Sequence, residues 1–353
     1  MKIRKILALA MVLTMILGLS ATAAEASSAD STEEASTLGE AEFTFSYASN
    51  EPVESLRYVH IEKPFLDYIT EKSGGRIQFV EYPSGTLGTT GTILKSIKDG
   101  LIDVGIDAPT FYPGSYPYFE FFGTPNANPG KTFEEKQKNI DEFTEKYIAP
   151  ELAPDAHVLA DYVTLNTYVI GNKEINGPED FEQQNVMTSA NYFGMYTAMG
   201  ATTTGVNYSE AYEDLKLGVI DMCQAGYYLI KGFRFNEVTK YAYHIPNVVS
   251  NSVLFISNEC YNSLPDDLKE IVDEAGRMVE TEFNTNYIKA CEEFVEGSIA
   301  EETPEFQYLE LPESVQEILF SVGDEMLEAK AKELTDAGLD GEGALEMVRS
   351  FYE

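Results

Sequence analysis

From residue 42 onward, apolar positions fall into short runs of two kinds, one alternating with polar residues and one recurring at helical spacing. The pattern predicts a strand over 42–47, a helix over 56–72 interrupted only by Pro64, and a stop at Ser73-Gly74-Gly75. A strand over 76–82, a turn over 83–88, a helix over 92–99 and a strand over 104–107 follow. This β-α-β-α-β order calls for parallel strands joined by right-handed crossovers. Ligands of such sheets lie beyond the carboxyl ends of the strands, which puts residues 47–50, 83–87 and 107–112 on the rim of a cleft.

An acidic helix is expected over 133–148, and residues 158–172 then alternate over a length sufficient to pass from one structural unit to another. A strand over 185–188, a helix over 192–199 and a strand over 204–207 come next, followed by a second apolar helix and a strand over 220–223. Residues 252–257 read as a strand returning to the first unit, and the chain from Pro265 onward is helical and charged, with Leu264-Pro265-Asp266-Asp267 as its start signal. Within this succession one phrase occurs twice, Gly100-Leu101-Ile102-Asp103 and Gly218-Val219-Ile220-Asp221, each after an apolar helical run. Glycine tolerates the left-handed conformation that ends a helix, so each phrase reads as a helix-to-strand junction, with Asp103 and Asp221 in structural turns. One chain therefore builds the same unit twice.

The first 24 residues carry Lys2, Arg4 and Lys5, an apolar run over 6–19 and the small residues Ala21-Thr22-Ala23, the pattern of an export signal cleaved near Ala23 or Ala24. The apolar run is short against the ~20 residues that span a bilayer. Residues 25–41 are acidic, rich in Ser and Thr and lack aromatics, and are expected to form a disordered leader. The mature chain is thus expected outside the cytoplasm, in the periplasm or at the extracellular face of the membrane. About 310 residues remain, enough for two domains. A formal charge of −35 argues against nucleic acid and anionic membranes as partners.

The three cysteines, Cys223, Cys260 and Cys291, fit no zinc or redox spacing and permit one disulfide at most. The three histidines are scattered, and phosphate-loop, dinucleotide and nucleophile-elbow motifs are missing from the sequence. No metal, no cofactor and no catalytic residue is expected. A secreted hydrolase would need a facing carboxylate pair such as Asp107 and Asp161, which the spacing does not require.

Further motifs carry a resemblance. Glu71-Lys72-Ser73-Gly74-Gly75-Arg76-Ile77, Tyr82-Pro83-Ser84-Gly85-Thr86-Leu87-Gly88 and Lys98-Asp99-Gly100-Leu101-Ile102-Asp103 come first. Tyr208-Ser209-Glu210-Ala211-Tyr212, Leu215-Lys216-Leu217-Gly218-Val219-Ile220-Asp221 and Ser257-Asn258-Glu259-Cys260-Tyr261-Asn262-Ser263-Leu264-Pro265 follow in order. Together they resemble the extracytoplasmic solute-binding subunits of TRAP transporters, of the dicarboxylate-binding type, over nearly all of residues 42–353. The resemblance implies an α/β, two-lobed periplasmic-binding-protein-like fold with mixed sheets flanked by helices, a cleft between the lobes and a long bridging helix. Residues 42–160 with 250–282 would form lobe I and 161–249 with 283–353 lobe II, with hinge strands near 158–172 and 248–257. It also implies a small organic solute and the TRAP membrane permease subunits as partners, a monomer, and no catalysis. A sensory protein feeding a receptor would share these features.

The sequence departs from that family where it reads a carboxylate. The arginine expected after Pro178-Glu179-Asp180-Phe181 is Met187, the second one that the sialic-acid-binding branch places on the preceding cross-lobe strand is Thr167, and the usual Gln-Glu-Asn-Pro is Cys223-Gln224-Ala225-Gly226. A planar guanidinium grips a carboxylate with two hydrogen bonds, and losing one partner of a buried charged pair costs roughly 3–5 kcal/mol. The solute is therefore expected to be neutral or to carry an amine. A typical organic acid held by Arg57, the one arginine placed to reach the cleft, is the alternative. Candidate binding residues are Tyr208, Asp107 as partner of an amine, Met187, Thr188, Asn166, Tyr168, Gln224, Tyr227, Asn50 and Arg57.

Overall fold

The computed structural model describes residues 39–353 apart from 90, 109–111, 113, 165, 249 and 250. The export signal, most of the leader and residues 109–111 of the third rim segment lie outside the described residues. The leader's last residues are tied down, since the Gly39 N–H donates to the Gly74 carbonyl.

Eleven described strands form two mixed sheets. The strands are β1 (Phe43–Ala48), β2 (Ile77–Tyr82), β3 (Val104–Asp107), β4 (His157–Val163), β5 (Thr167–Gly171) and β6 (Asn185–Thr188). They continue with β7 (Thr202–Gly205), β8 (Met222–Gly226), β9 (Tyr241–His244), β10 (Asn251–Ile256) and β11 (Gln307–Glu310). The first sheet runs β2-β1-β3-β10-β4 and the second β7-β6-β8-β5-β9-β11. In both, a parallel triplet ordered second-first-third is followed by an antiparallel strand that arrives from the other part of the chain. The unit read twice in the sequence is thus built twice in space.

Its repeated phrase does the same work each time. Gly100 and Gly218 follow helices Ile93–Lys98 and Tyr208–Leu217 with φ of 72° and 71°, the left-handed region where a side chain is strained. Asp103 accepts the Ser46 N–H on β1 at 2.7 Å, and Asp221 accepts the Asn185 N–H at the start of β6 at 2.8 Å. Each aspartate fastens the third strand of its unit to the first.

The helices expected over 56–72 and 133–148 each contain a widened turn. Residues Tyr58–Glu62 and Thr144–Ile148 adopt the π-helical pattern, and a proline, Pro64 or Pro150, stands two positions after each. A proline ring collides with the carbonyl four residues back, and a ladder one residue wider relieves that contact without ending the helix.

The alternating segment 158–172 is two strands in two sheets, β4 and β5, with residues 164–166 between them. One long helix bridges the sheets: Asp266–Met278 continues through a π turn, Val279–Phe283, into Asn284–Glu302. Where it crosses β4, the Asn284 side chain donates to the Val163 carbonyl, and Gly276 lies against the Leu159 carbonyl so closely that a Cβ would meet that oxygen at 2.1 Å. The obstacle is backbone, so Gly276→Ala is expected to cost about 2 kcal/mol of stability, readable as a lower urea midpoint with unchanged m-value.

The C-terminal stretch differs from its expected place in the second lobe. Helix Glu313–Asp336 begins in the core of the second sheet, with Val315 and Leu319 beside Phe181 and Tyr196. It ends in the first, where Leu327, Ala331 and Leu334 join Phe119, Phe143 and Ile148. Ala344 and Val348 of helix Gly341–Ser350 belong to that same core. A 24-residue helix is about 36 Å long, enough to cross both lobes.

Candidate functional site

A cavity of about 780 Å³ opens between the carboxyl ends of the two parallel triplets. The first sheet and the helix after β1 contribute Asn50, Glu51, Leu56, Arg57, Ile106 and Asp107. The second side contributes Ser189, Val206, Tyr208, Tyr228 and Phe233, and the bridging helix adds Tyr287, Cys291, Phe294 and Val295. Most of this surface is apolar and aromatic, the lining of a small-molecule pocket.

Its charge is organised around Arg57. The guanidinium donates from Nε to Glu62 Oε1 at 2.8 Å and from Nη2 to Asn50 Oδ1 at 2.5 Å, and Nη1 lies 3.6 Å from Glu51. Glu62 is 1% exposed and accepts a second hydrogen bond, at 3.0 Å, from the hydroxyl of buried Tyr47. Burial opposes the charge on Arg57, but the Glu62 and Glu51 carboxylates outweigh it and raise the pKa further. Arg57 is the only Arg or Lys among the described lining residues.

The structure brings four of the ten expected residues to the cavity: Asn50, Arg57, Asp107 and Tyr208. Asp107 cannot take the role foreseen for it as partner of an amine. Its oxygens accept the N–H groups of Gly91, Ile93, Leu94 and Ala108 and the Tyr112 hydroxyl, so it is the fastening of the short helix Ile93–Lys98. Met187, Thr188 and Gln224 lie behind the wall rather than on it. Gln224 Oε1 accepts from Thr188 and Tyr196, and Met187 Sδ takes the Asn207 N–H at 3.5 Å. Tyr208 reaches the cavity with its hydroxyl donating to the Gln224 carbonyl at 3.1 Å, so that buried layer sets the ring's position. Tyr168 and Tyr227 pack against Tyr308, away from the lining, and Asn166 faces Lys136. The hydrolase pair fails as well: Asp107 and Asp161 flank Val253 of β10 from opposite sides, two strand spacings or about 10 Å apart, and Asp161 accepts from Thr144 and Asn251.

Several lining residues were not foreseen. Tyr287, Cys291, Phe294 and Val295 form an i, i+4, i+7, i+8 stripe, legible in retrospect, with Phe294 half exposed. Glu62 gave no such signal, because it meets Arg57 at i, i+5, a pairing that exists only through the π turn Tyr58–Glu62. Cys223, Cys260 and Cys291 are free thiols.

Two α/β lobes with an aromatic cleft between them and a helix bridging both define a solute-binding protein. The family model for bacterial extracellular solute-binding protein, family 7, matches residues 47–333, and the chain belongs to that family, the extracytoplasmic solute receptors of TRAP transporters. The ectoine/5-hydroxyectoine-binding periplasmic protein UehA of Ruegeria pomeroyi is 24% identical over 307 residues, covering 84% of this chain and 87% of its own. A TRAP periplasmic solute-binding protein from Desulfovibrio salexigens, solved as an open complex, superposes with a TM-score of 0.78 at 19% identity, covering 88% of this chain and 96% of that one. DctP7 of Bordetella pertussis, described as binding pyroglutamic acid, does so with a TM-score of 0.74 at 17% identity, over 87% and 99%. The homologues are binding components of transporters rather than enzymes, and the family is periplasmic. No helix among the described residues is long and apolar enough to cross a membrane.

Proposed function

We propose that this receptor, exported by cleavage near Ala23 or Ala24 and acting as a monomer, captures a small solute without net negative charge and delivers it to the TRAP permease. One observation carries the reading. The cleft's only described cation, Arg57, is already matched by the buried Glu62, with Glu51 3.6 Å away, and the family's arginine position holds the uncharged Met187. An incoming carboxylate meets a local balance that is negative, whereas a neutral or amine-bearing group does not. The rings of Tyr208, Tyr228, Phe233 and Tyr287 offer apolar faces, and their π-systems suit a flat or cationic ligand body. UehA, described as binding ectoine and 5-hydroxyectoine, is the relative most in line with this reading. A second reading, an organic acid on the Nη1 edge of Arg57, is favoured by DctP7, described as binding pyroglutamic acid.

Thermal-shift titration with matched pairs separates the two, for example 3-hydroxybenzamide against 3-hydroxybenzoate, or choline against acetate. Stabilisation by the uncharged or cationic members supports the proposal, and stabilisation by the acids alone refutes it. For whichever solute binds, Tyr208→Ala is expected to weaken binding about 10- to 100-fold through the lost ring face, a loss of about 1.4–2.7 kcal/mol. Tyr208→Phe, which forgoes only the hydrogen bond to Gln224, should cost less than tenfold.

A further inference from the structure

One charged group of the cleft has no part in holding the cleft together. Glu51 reaches the cavity from the loop after β1, with its side chain 19% exposed. That loop is fastened: the Glu51 N–H donates to Ser49 Oγ at 3.0 Å, and the Ser49 and Glu51 carbonyls accept the N–H groups of Gly85 and Ser84, each at 2.9 Å, from the turn after β2. The Glu51 carboxylate stands 3.6 Å from Arg57 Nη1, too long for a hydrogen bond, and accepts none among the described residues.

Glu62 is fully committed by comparison, with Oε1 taken by Arg57 and Oε2 by the Tyr47 hydroxyl. One guanidinium therefore meets two carboxylates, and the surplus negative charge is the one that faces the cavity. Its influence crosses the cleft: burial raises the pKa of Tyr228 on the second lobe and of Cys291 on the bridging helix to about 12, and the Glu51 carboxylate adds to both. On those two elements the wall is otherwise apolar. Val206, Tyr228 and Phe294 are each more than a third exposed and all line this one cavity, and the Tyr208 and Phe233 rings line it too, with centroids 5.8 Å apart. Large apolar side chains left open to water in a single concavity mark a surface that a ligand covers.

Resting on the reading of the cleft given above, we propose that its solute is a cationic monoamine, one protonated primary or secondary amine on an apolar body of aromatic size, with Glu51 as its counter-ion and Phe233 and Phe294 against its body. The charges then close, since Arg57 and the ammonium balance Glu62 and Glu51. Other solutes fail on the same groups. A neutral one leaves Glu51 uncompensated once it displaces the water of the cleft, and an α-amino acid brings a carboxylate next to Glu51 while Arg57 is already engaged. A diamine carries its second charge to an apolar wall, because Asp107, the other acid among the described lining residues, is consumed by the helix it fastens.

The test is calorimetric titration of the mature protein with phenethylamine, 2-phenylethanol, 3-phenylpropionate and L-phenylalanine, which share a ring and differ in charge. Phenethylamine should bind at millimolar concentration or tighter, and at least about tenfold more tightly than each of the others, the margin of a charged hydrogen bond in a desolvated site. Glu51→Gln keeps the size of the side chain and the backbone hydrogen bonds of its loop, so the variant should fold as the parent does. It should lower the ratio of phenethylamine to 2-phenylethanol affinity by at least about tenfold, whereas Phe294→Ala should weaken both probes by the same factor. Failure of phenethylamine to bind, an equal or tighter affinity for any other probe, or an amine preference that survives Glu51→Gln would each overturn the proposal. The alcohol binding as tightly as the amine would leave standing the reading that the solute lacks net negative charge, and tightest binding of 3-phenylpropionate would overturn both, so the two failures are distinguishable.

Discussion

Glu62→Gln is expected to lower stability by about 3 kcal/mol and, at the same time, to open the cleft to carboxylates. Removing one member of a buried ion pair costs roughly 3–5 kcal/mol because the survivor is left charged in a poor solvent. The Arg57 side chain retains 16% exposure and has Glu51 at 3.6 Å, which puts the effect at the lower end. The amide preserves shape and can still accept from the Tyr47 hydroxyl, so the loss reports charge rather than packing. The freed guanidinium then offers its planar fork to the cavity, and organic acids such as glucuronate or 3-hydroxybenzoate should raise the melting temperature of the variant more than that of the parent. Equal stability of parent and variant, or an unchanged response to acids, would show that Glu62 does not neutralise Arg57.

The second large effect concerns pH. Asp161 on β4 is 1% exposed, with Thr144 and Asn251 donating to its two oxygens, and its N–H donates to Glu280 on the bridging helix. Burial raises the Asp161 pKa to about 7 and that of Glu280 to about 8, with the neighbouring Asp141 adding to both. The folded state therefore holds these protons more tightly than the unfolded chain, where ordinary values are 3.8 and 4.5. Stability is full below those unfolded values, falls as pH rises from about 4 to 8, and stays reduced above. For Asp161 alone a shift of about three units is worth on the order of 4 kcal/mol. Asp161→Asn keeps an acceptor for Asn251, and Thr144 can turn its hydroxyl to accept from the new amide. The variant should match the parent at pH 5, exceed it at pH 8, and lose much of the pH slope in chemical denaturation. Destabilisation of equal size at both pH values would assign Asp161 a purely structural hydrogen-bonding role.

The fold was largely legible because its signals are local. Alternation located β3 at 104–107 and β6 at 185–188, and the repeated glycine phrase disclosed the two triplets before any pairing was known. β9 and the edge strand β11 beside it escaped, since four residues each, with β11 only half-buried, leave too short a pattern to separate from a loop. The candidate site was read less well, for a physical reason. Residues after β1 and β3 reach the cleft as topology requires, but direction is set by contacts far apart in sequence: Gln224 turns inward because Thr188 and Tyr196 meet it, and Asp107 is consumed by a helix fourteen residues earlier. Glu62 was invisible because α-helical spacing puts it off the face of Arg57, and only the π turn ahead of Pro64 brings the two together.

The central claim, that the cleft binds a solute without net negative charge, is tested most directly by identifying what the protein carries. The mature chain would be purified without added ligand, gently denatured, and the released small molecule identified by mass spectrometry. The charge pattern around Arg57 calls for a neutral or amine-bearing compound, absent from a parallel preparation of Tyr208→Ala. A dicarboxylate, sugar acid or aromatic acid released from the parent would contradict it and make the Nη1 edge of Arg57 the seat of binding.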